Sequence, residues 1–394
     1  MKHETQVELL NTVLAALETG RDAPIISEPV EVPVSRYLDQ GVFDREMDTL
    51  FRDYPLVAGH ASQVREPGSY ILSPWDRFPY VVVRDKEGLL RAFLNVCRHR
   101  GAPIVSGKEE KLAAFICPYH GWTYNLDGSL RAMTRPFNFP GMECKDFGLH
   151  ELPVAEHFGM VWVHPTPGAK MDVPAYLGEA ISTDLEHFNI GGLARHRKTQ
   201  VVKDANWKLL FKTYLDRYHV PTMHKNTLLE YYRDAVNAHT LHGPHIRTTA
   251  GLVSLPKARE VDPSKWNILN YASMLYTLFP STLFIVHTNL VSINTFHPIA
   301  PDKTLWTHEM LYRPEEFEGE ANQEILAKRF ANIDWVFGNE DFGIAEKCQR
   351  NLAYGGNKTH VLGLEEGLLA VFQQSIDRIT GVPAKKVIPL AVAQ

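Results

Sequence analysis

Two cysteine–histidine pairs, close together in the chain, constrain this sequence more than any other feature. Cys97-x-His99 is followed, after seventeen intervening residues, by Cys117-x-x-His120. Two thiolates and two imidazoles suit either a tetrahedral zinc ion or an iron–sulfur centre with mixed ligands, and the spacing alone does not choose between them. Prolines and glycines beside both pairs favour rigid turns. We therefore predict two loops that hold one metal centre between them, with the imidazoles near the surface.

The residues around these pairs have the pattern of a small antiparallel β domain. Short β-branched or aromatic runs separated by turn residues favour strands, here at 71–72, 80–83, 89–96, 113–116 and 160–163, with a hairpin at 123–130. A stretch rich in proline and glycine, 165–178, marks a boundary. We expect helices and a connector over 1–54, the β domain over 55–165 and a second domain over 166–394.

A second group of metal-binding residue types lies in the C-terminal domain. We predict a helix that begins at Asp204, with its carboxylate as the cap, and ends near Pro221. Asp216 and His219 share a face of such a helix, and the proline allows His224 to return towards His219. Two imidazoles beside a carboxylate begin the triad that leaves open positions on ferrous iron. A second carboxylate must come from elsewhere in the chain.

The first group, CRHRGAP at 97–103 and CPYHGW at 117–122, resembles the Rieske motif. The resemblance implies a 2Fe-2S cluster in which Cys97 and Cys117 hold one iron while His99 and His120 hold the other. Such a cluster has a higher potential than one with cysteine ligands alone. A structural zinc knuckle is the alternative. The other two cysteines, at 144 and 348, are expected to be ordinary buried thiols.

The second group resembles the catalytic domain of Rieske non-haem iron oxygenases of the aromatic-ring-hydroxylating type. The family pattern is Asn-Trp-Lys, then Asp-x-x-His-x-x-x-x-His, then a distant Asp followed by Glu and Gln. These elements occur here at 206–208, at 216–224 and at 341, 346 and 349. The resemblance implies that His219, His224 and Asp341 bind a mononuclear Fe(II), and that Asp216 is a bridge that receives electrons. Glu340, adjacent to Asp341, is the alternative third ligand.

One turn before Asp216 the sequence departs from the family pattern. Family members often have Glu-Asn there, whereas this chain has Phe211-Lys212-Thr213, so hydrogen bonds beneath the iron are expected to be missing. Lys212 lies four residues before Asp216 and is predicted to form a helical ion pair with it.

The resemblance implies an α+β fold: a small antiparallel β Rieske domain and a catalytic domain whose antiparallel sheet, around 275–312, is wrapped by helices in the helix-grip manner. It also implies the function of a terminal oxygenase, which uses O2 and electrons from a reductase to hydroxylate a small organic molecule. An electron carrier needs only the cluster, and a structural zinc protein needs neither redox activity nor the second group. Joint occurrence of both groups favours the enzyme.

Several partners follow from the sequence and the resemblance. No Gly-x-Gly-x-x-Gly turn is found, so a separate NAD(P)H-dependent reductase, with or without a ferredoxin, is expected to supply electrons. In the family, electrons pass between neighbouring subunits, which implies a homotrimer, or a hexamer with a small β subunit. A net charge of −5 gives no reason to expect nucleic acid, and no apolar run of eighteen residues indicates a membrane span. Four cysteines and an N-terminus without an apolar core predict the cytoplasm.

The substrate is the least constrained prediction. Aspartate at 216, where oxygenases of quaternary amines have glutamate, favours an aromatic or other cyclic substrate; oxidative demethylation and quaternary-amine oxidation are the alternatives. We expect the pocket to be lined from 209–218, the loop after His224 and the strands over 277–307, with Asn289, Asn294 and His297 as its polar groups.

Overall fold

The computed structural model describes residues 1–106 and 111–383, which divide into two compact units. The smaller unit consists of Phe51–Tyr176 with Asn189–Gly192. The larger unit consists of Met1–Leu50, Leu177–Phe188 and the described residues from Leu193 onward. Of the helices and connector expected over 1–54, residues Met1–Leu50 belong to the larger unit.

The helices and strands, in chain order, have the following bounds. The helices are α1 (His3–Thr19), α2 (Ser35–Leu38), α3 (Gln40–Thr49), α4 (Val173–Leu177), α5 (Glu179–Phe188), α6 (Trp207–Lys212), α7 (Val220–Met223), α8 (Glu320–Trp335), α9 (Phe342–Ala353) and α10 (Gly367–Thr380). The strands are β1 (Val30–Pro33), β2 (Leu56–His60), β3 (Tyr70–Leu72), β4 (Tyr80–Arg84), β5 (Leu90–Leu94), β6 (Phe115–Ile116), β7 (Thr123–Tyr124), β8 (Leu130–Ala132), β9 (Glu151–Leu152), β10 (Val154–His157), β11 (Met160–Val163), β12 (Ala194–Lys203), β13 (Tyr232–His242), β14 (His245–Leu252), β15 (Ala272–Leu278), β16 (Thr282–Val286), β17 (Leu290–Ala300), β18 (Lys303–Tyr312) and β19 (Thr359–Leu362).

The smaller unit is built from three antiparallel sheets, ordered β3-β4-β5-β9, β6-β7-β8 and β10-β11-β2. The β-branched and aromatic runs predicted β3 to β8 and β11, whereas β2, β9 and β10 were not predicted. The core includes Val81, Phe93 and Phe115, and it contains both Cys97 and Cys117. The two cysteines thus lie within the hydrophobic core of the unit.

The larger unit is organised on one antiparallel sheet of seven strands, ordered β12-β18-β17-β16-β15-β14-β13. Every residue of β15 and β16 is buried, so both faces of the sheet centre are covered. Rings on the helices fill one side: Phe211 of α6 lies 5.3 Å from Phe296 and 4.9 Å from Phe372 of α10. Phe342 of α9 lies 4.9 Å from Trp306 of β18. This aromatic layer fixes α6 and α9, which flank the second group of metal-binding residues.

In the N-terminal segment, α1 packs its apolar residues against its own unit. In α1, Leu9, Leu10 and Val13 are buried, and the helix contacts β13 and β14 of its own unit. The prediction that the two remaining cysteines are buried was wrong, because Cys144 is half-buried and Cys348 is exposed on α9. Within the described residues, no helix is long and apolar enough to cross a membrane.

Candidate metal centres

The first Cys–His group forms two loops of the same hydrogen-bonding pattern. In each loop the cysteine N–H donates to the carbonyl five residues on, at 2.8 Å for Cys97 and 2.9 Å for Cys117. The N–H of the glycine four residues on donates back to the carbonyl of the cysteine at 2.9 Å. Gly101 and Gly121 have φ values of 77° and 71°, a left-handed conformation that glycine adopts without strain. These turns place the cysteine and histidine of each pair on the same side of their loop.

The two loops bring their imidazoles together. The ring centroids of His99 and His120 lie 4.6 Å apart, and His99 stacks on Trp122 at 4.9 Å. The Nδ1 atoms of both histidines are buried, yet neither has a hydrogen-bond partner among the described residues. Since buried polar atoms are normally paired, two such atoms on adjacent rings fit a metal ligand set.

The two cysteine sulfurs lie in a polar setting within the apolar core. The Tyr124 hydroxyl is 3.3 Å from the Cys97 sulfur, and the Arg98 N–H donates to the same hydroxyl at 3.0 Å. Burial raises the pKa of the Cys117 thiol, against the backbone N–H groups of Tyr119 and His120, which donate to its sulfur. Donors of this kind stabilise a thiolate bound to iron and tune the potential of a cluster.

The segment that carries the second group is less helical than predicted. Helix α6 spans only Trp207–Lys212, and its cap is Asn206, whose side chain accepts from the Lys208 N–H at 3.0 Å. Asp204 does not cap it. Residues 213–219 form turns, and Pro221 stands in the first turn of the short helix α7, where a missing N–H is tolerated. The proline therefore starts a helix rather than ending one.

Three side chains of the larger unit meet at one point. The Nε2 atoms of His219 and His224 are 3.1 Å apart, and Oδ1 of Asp341 lies 3.3 Å and 3.2 Å from them. Ligand atoms about 2.1 Å from one ion and at right angles to each other would be about 3 Å apart. The spacing of these three atoms thus fits a two-histidine, one-carboxylate metal site.

Asp341 reaches this point from an unusual backbone. It is the last residue of a π-helical segment, Val336–Asp341, between α8 and α9. Such wide turns are rare and frequent at functional sites, because they redirect a side chain within an otherwise regular helix. Here the turn directs Asp341 and Glu340 to different atoms of His224: Asp341 faces Nε2, and an oxygen of Glu340 lies 2.7 Å from Nδ1.

Each histidine of the site has a carboxylate on its outer nitrogen. Asp216 Oδ2 is 3.1 Å from Nδ1 of His219, and Glu340 Oε2 is 2.7 Å from Nδ1 of His224. Burial lowers the pKa of His219, but the hydrogen bonds and charges of Asp216 and Asp341 outweigh it and raise that pKa to about 9. Burial raises the pKa of Asp341, yet the two histidines hold it below its usual value. Outer carboxylates fix the tautomer that leaves both Nε2 lone pairs free for a metal.

Lys212 does not pair with Asp216, so that prediction was wrong. The residue is buried, with 4% of its surface exposed. Its ammonium donates to the Tyr37 hydroxyl and to Oε1 of Gln373, each at 2.8 Å. Burial and the positive charge of Lys208 lower its pKa to about 7. The residue points away from Asp216 because α2 and α10 offer it polar partners in the interior.

The Glu and Gln that follow Asp341 in the family pattern have a structural role here. Oε1 of Glu346 accepts from the Asp204 N–H at 2.9 Å, and Oε1 of Gln349 accepts from the Asn206 N–H at 3.0 Å. Both bonds tie α9 to the chain just before α6. They hold the helix that follows Asp341 in register with the segment that leads to His219.

A cavity of about 360 Å³ opens beside the three converging side chains. As expected, Asn289 lines it, but Asn294 and His297 do not. Asn294 is fully buried and its Oδ1 accepts from Tyr214 and Trp306. Sequence reasoning missed the wall contributed by α8 and the turn after it, namely Arg329, Asn332, Ile333, Val336 and Phe337. The only available signal was that this helix leads directly to Asp341.

Two family models match this sequence. The Rieske [2Fe-2S] domain matches residues 55–143, and the catalytic domain of the ring hydroxylating alpha subunit matches residues 190–381. Together they account for more than half of the chain and contain all eight of the residues that the sequence predicted as site residues.

Relatives of different substrate types are similar to the chain. The carnitine monooxygenase oxygenase subunit of Acinetobacter pittii is 28% identical over 334 residues, which are 81% of this chain and 84% of that protein. The chlorobenzene dioxygenase subunit alpha of Cupriavidus sp. is 32% identical over 221 residues, 53% of this chain and 48% of that protein. A solved quaternary ammonium Rieske monooxygenase has the same fold, with a TM-score of 0.77, 24% identity and coverage of 91% of this chain and 96% of that one.

These matches agree with the α+β architecture. The two cofactors expected from the sequence, a Rieske 2Fe-2S cluster and a mononuclear iron, are those of the matched domains. The protein is accordingly an oxidoreductase that uses O2, and it belongs to the Rieske oxygenase alpha subunits.

Proposed function

We propose that this chain is the terminal component of a multicomponent oxygenase that hydroxylates a small aromatic or other cyclic molecule. The observation that carries the proposal is the convergence of His219, His224 and Asp341 beside a cavity of about 360 Å³. A cavity of this size accommodates a small organic ligand. Because the ligand atoms meet at its wall, a substrate held there would lie next to the metal.

The residue assignments follow from the contacts around each site. Cys97 and Cys117 would hold one iron of the cluster, and His99 and His120 the other through Nδ1, which the unpaired buried state of both nitrogens supports. The mononuclear iron would be held by His219 and His224 through Nε2 and by one oxygen of Asp341. When bound, the cluster supplies electrons one at a time and the mononuclear iron activates O2.

The residues around the iron ligands have positioning roles. Glu340 accepts a hydrogen bond from Nδ1 of His224 and another from the Thr227 hydroxyl, at 2.8 Å. These two bonds fix the position of its carboxylate. Asp216 orients His219 in the same way and accepts the Tyr218 N–H at 2.8 Å. By the family resemblance, Asp216 is in addition the bridge that receives electrons from His120 of a neighbouring chain.

The choice of an aromatic or cyclic substrate rests on the lining of the cavity and on Asp216. Apart from the metal end, most of the lining is aliphatic or aromatic, including Leu228, Tyr231, Tyr232, Leu252, Leu275, Ile285, Leu290, Ile333, Val336 and Phe337. Such walls bind a compact apolar body through burial. Oxidation of a quaternary amine, with or without demethylation, is the second candidate, favoured by the carnitine monooxygenase match over 81% of the chain.

The expected partners are a separate NAD(P)H-dependent reductase, with or without a ferredoxin, and further copies of this chain. A homotrimer, or a hexamer with a small β subunit, would let the cluster of one chain serve the iron of the next. The solved quaternary ammonium Rieske monooxygenase is described as showing inter-subunit electron transfer, which supports this arrangement. We place the protein in the cytoplasm, because its four cysteines form no disulfide among the described residues, which fits a reducing compartment.

Metal analysis combined with oxygen uptake tests the proposal. Purified protein should contain about three irons and two acid-labile sulfides per chain, and a reductase-coupled assay should show oxygen uptake with at least one cyclic compound. Product analysis then separates hydroxylation from demethylation. Zinc without sulfide, or oxygen uptake confined to quaternary amines, would contradict it.

A further inference from the structure

Two arginines line the cavity, and neither has an acidic partner within ion-pair distance among the described residues. They are Arg217, in the turn between Asp216 and α7, and Arg329, on α8. Apart from Asp216 and Asp341 at the metal end, no acidic side chain of the described residues lines the cavity. The charge that a substrate meets elsewhere in the cavity is therefore positive.

Arg217 is the more enclosed of the two. Its guanidinium carbon lies 5.5 Å from the ring centroid of Tyr232, which also lines the cavity. Asp22, Asp216 and Asp234 act on it electrostatically. Both oxygens of Asp22, however, accept hydrogen bonds from the backbone and side-chain N–H groups of Asn237. Within the described part of the chain, no hydrogen bond takes up the five donors of this guanidinium. An arginine that is half-buried with its donors free is a binding group for a planar oxyanion.

Arg329 lies in a more open position, towards solvent. Its one hydrogen bond is long, 3.4 Å from Nη1 to Oδ1 of Asn289, and its guanidinium carbon lies 5.7 Å from the ring of Phe317. Its charge reaches His287 and Tyr231 on the cavity wall. From this position the side chain attracts an anion to the cavity through its charge and does not hydrogen-bond it directly.

The rest of the wall near these arginines is neutral. The pKa of His287 is lowered to about 4 by burial and by the charge of Arg329, so the imidazole carries no charge at neutral pH. Its Nδ1 is 2.9 Å from the Ser273 hydroxyl, to which the Tyr232 hydroxyl also donates at 3.2 Å. These groups satisfy one another, whereas no hydrogen bond from the described residues takes up the guanidinium of Arg217.

We propose that the substrate is an organic carboxylate, whose anionic group binds Arg217 and whose cyclic body lies on the aliphatic and aromatic walls. A carboxylate matches the planar fork of a guanidinium with two parallel hydrogen bonds. A quaternary amine without an anionic group would place its charge against two arginines, which disfavours it. The inference rests on the proposed function and narrows its substrate class.

Binding to the metal-loaded protein in the absence of oxygen provides the test, since it does not depend on turnover. Calorimetry would compare benzoate with benzamide and with phenyltrimethylammonium, and cyclohexanecarboxylate with its amide. The members of each set share a body and differ in charge. The carboxylate should bind most tightly in both sets.

Variants identify the residue responsible. Arg217→Gln should weaken carboxylate binding about 10- to 100-fold, the effect of losing a hydrogen bond to a charged group, and should leave amide binding unchanged. Arg217→Lys should restore part of the loss, because it keeps the charge without the fork. Arg329→Gln should have a smaller effect, and Arg350→Gln, an exposed arginine of α9 that does not line the cavity, should have none.

Three results would overturn the inference: amides or the quaternary amine binding as tightly as the carboxylates, no carboxylate of either set binding, or Arg217→Gln weakening amides and carboxylates equally. Iron and sulfide content of each variant shows whether it is still folded and loaded. Failure of the proposed function looks different, since it would appear as missing cofactors or as no oxygen uptake with any class of compound.

Discussion

Asp341 and Glu340 are adjacent carboxylates, yet they contact opposite edges of the same imidazole. Asp341 faces Nε2 of both His219 and His224, whereas Glu340 is confined to Nδ1 of His224. Their burial differs as well, with side-chain exposures of 6% and 19%. In the sequence only the family spacing favoured Asp341, because adjacent positions differ in the direction of their side chains, and the π-helical turn sets that direction.

This difference predicts distinct losses of iron. Asp341→Asn should abolish binding at the mononuclear site, because it removes a charged ligand, while Glu340→Gln should keep the metal with an affinity reduced about 10- to 100-fold, the usual effect of an outer hydrogen-bonding partner. Iron titration of the two variants, with cluster absorbance as the internal reference, measures both. Equal losses, or a greater loss in Glu340→Gln, would exchange the two roles.

At the scale of elements, a buried polar network joins α2, α3, α6 and α10 behind the metal site. Lys208 of α6 donates to both oxygens of Glu46 on α3 at 2.7 Å, and Lys212 reaches Tyr37 of α2 and Gln373 of α10. Burying such charges is unfavourable unless every group is paired. The network therefore fixes how α6 packs, and with it the start of the segment that ends at His219.

Lys212 should make stability depend on pH. Its pKa is about 7 in the folded protein, against about 10.4 in an unfolded chain. Between these values the unfolded chain binds more protons, so the free energy of unfolding rises with pH. Relative to Lys212→Met, the wild type should gain about 2 kcal/mol between pH 7 and pH 9, as measured by urea unfolding. The exposed Lys328 offers the control, and the same pH trend relative to Lys328→Met would contradict the assignment.

What the sequence could predict at this scale depended on how local the cause was. The strands and the two cluster loops follow from neighbouring residues, since β-branched runs, glycines and the ligands themselves are close in the chain. The partners of Lys212 are 175 and 161 residues away in the chain. The pairing of residues four apart on a helix therefore predicted the nearby Asp216 instead. The cap of α6 has a distant cause as well. Glu346 and Gln349 of α9 accept from the N–H groups of Asp204 and Asn206, and in this position Asn206 rather than Asp204 caps the helix.

The lining of the cavity could likewise be predicted only where its cause is local in the chain. Residues near His219 and His224 were placed correctly because they share a short segment with the ligands. The wall from α8 depends on how that helix crosses the sheet, which periodicity does not encode. Arg329, on that helix, was therefore outside the predicted lining, whereas Arg217 lies within the predicted range 209–218.

At the scale of the whole molecule, the two ligand sets belong to different compact units and share no residue. We therefore expect the cofactors to be lost independently. His219→Ala should empty the mononuclear site and leave the absorption of the cluster intact, whereas Cys117→Ser should remove the cluster while iron remains at His219 and His224. Metal analysis with visible absorption distinguishes them, and loss of the cluster colour in His219→Ala with its mononuclear iron retained would refute the ligand assignment.

Electron delivery to the iron is the central claim, and it depends on Asp216. The side chain is 20% exposed and holds Nδ1 of His219 with one oxygen, so asparagine preserves its shape but removes its charge. Asp204→Asn is the matched control, because Asp204 is 72% exposed and pairs only loosely with Lys303, at 3.7 Å. Both variants should retain the cluster, the mononuclear iron and the assembly.

Stopped-flow oxidation of the reduced cluster, with substrate and O2 present, tests this claim most directly. Asp216→Asn should slow that oxidation to the point where nearly all turnover is lost, because the path from the cluster to the iron is interrupted, while Asp204→Asn should match the wild type. Cluster oxidation at the wild-type rate in Asp216→Asn would contradict the account.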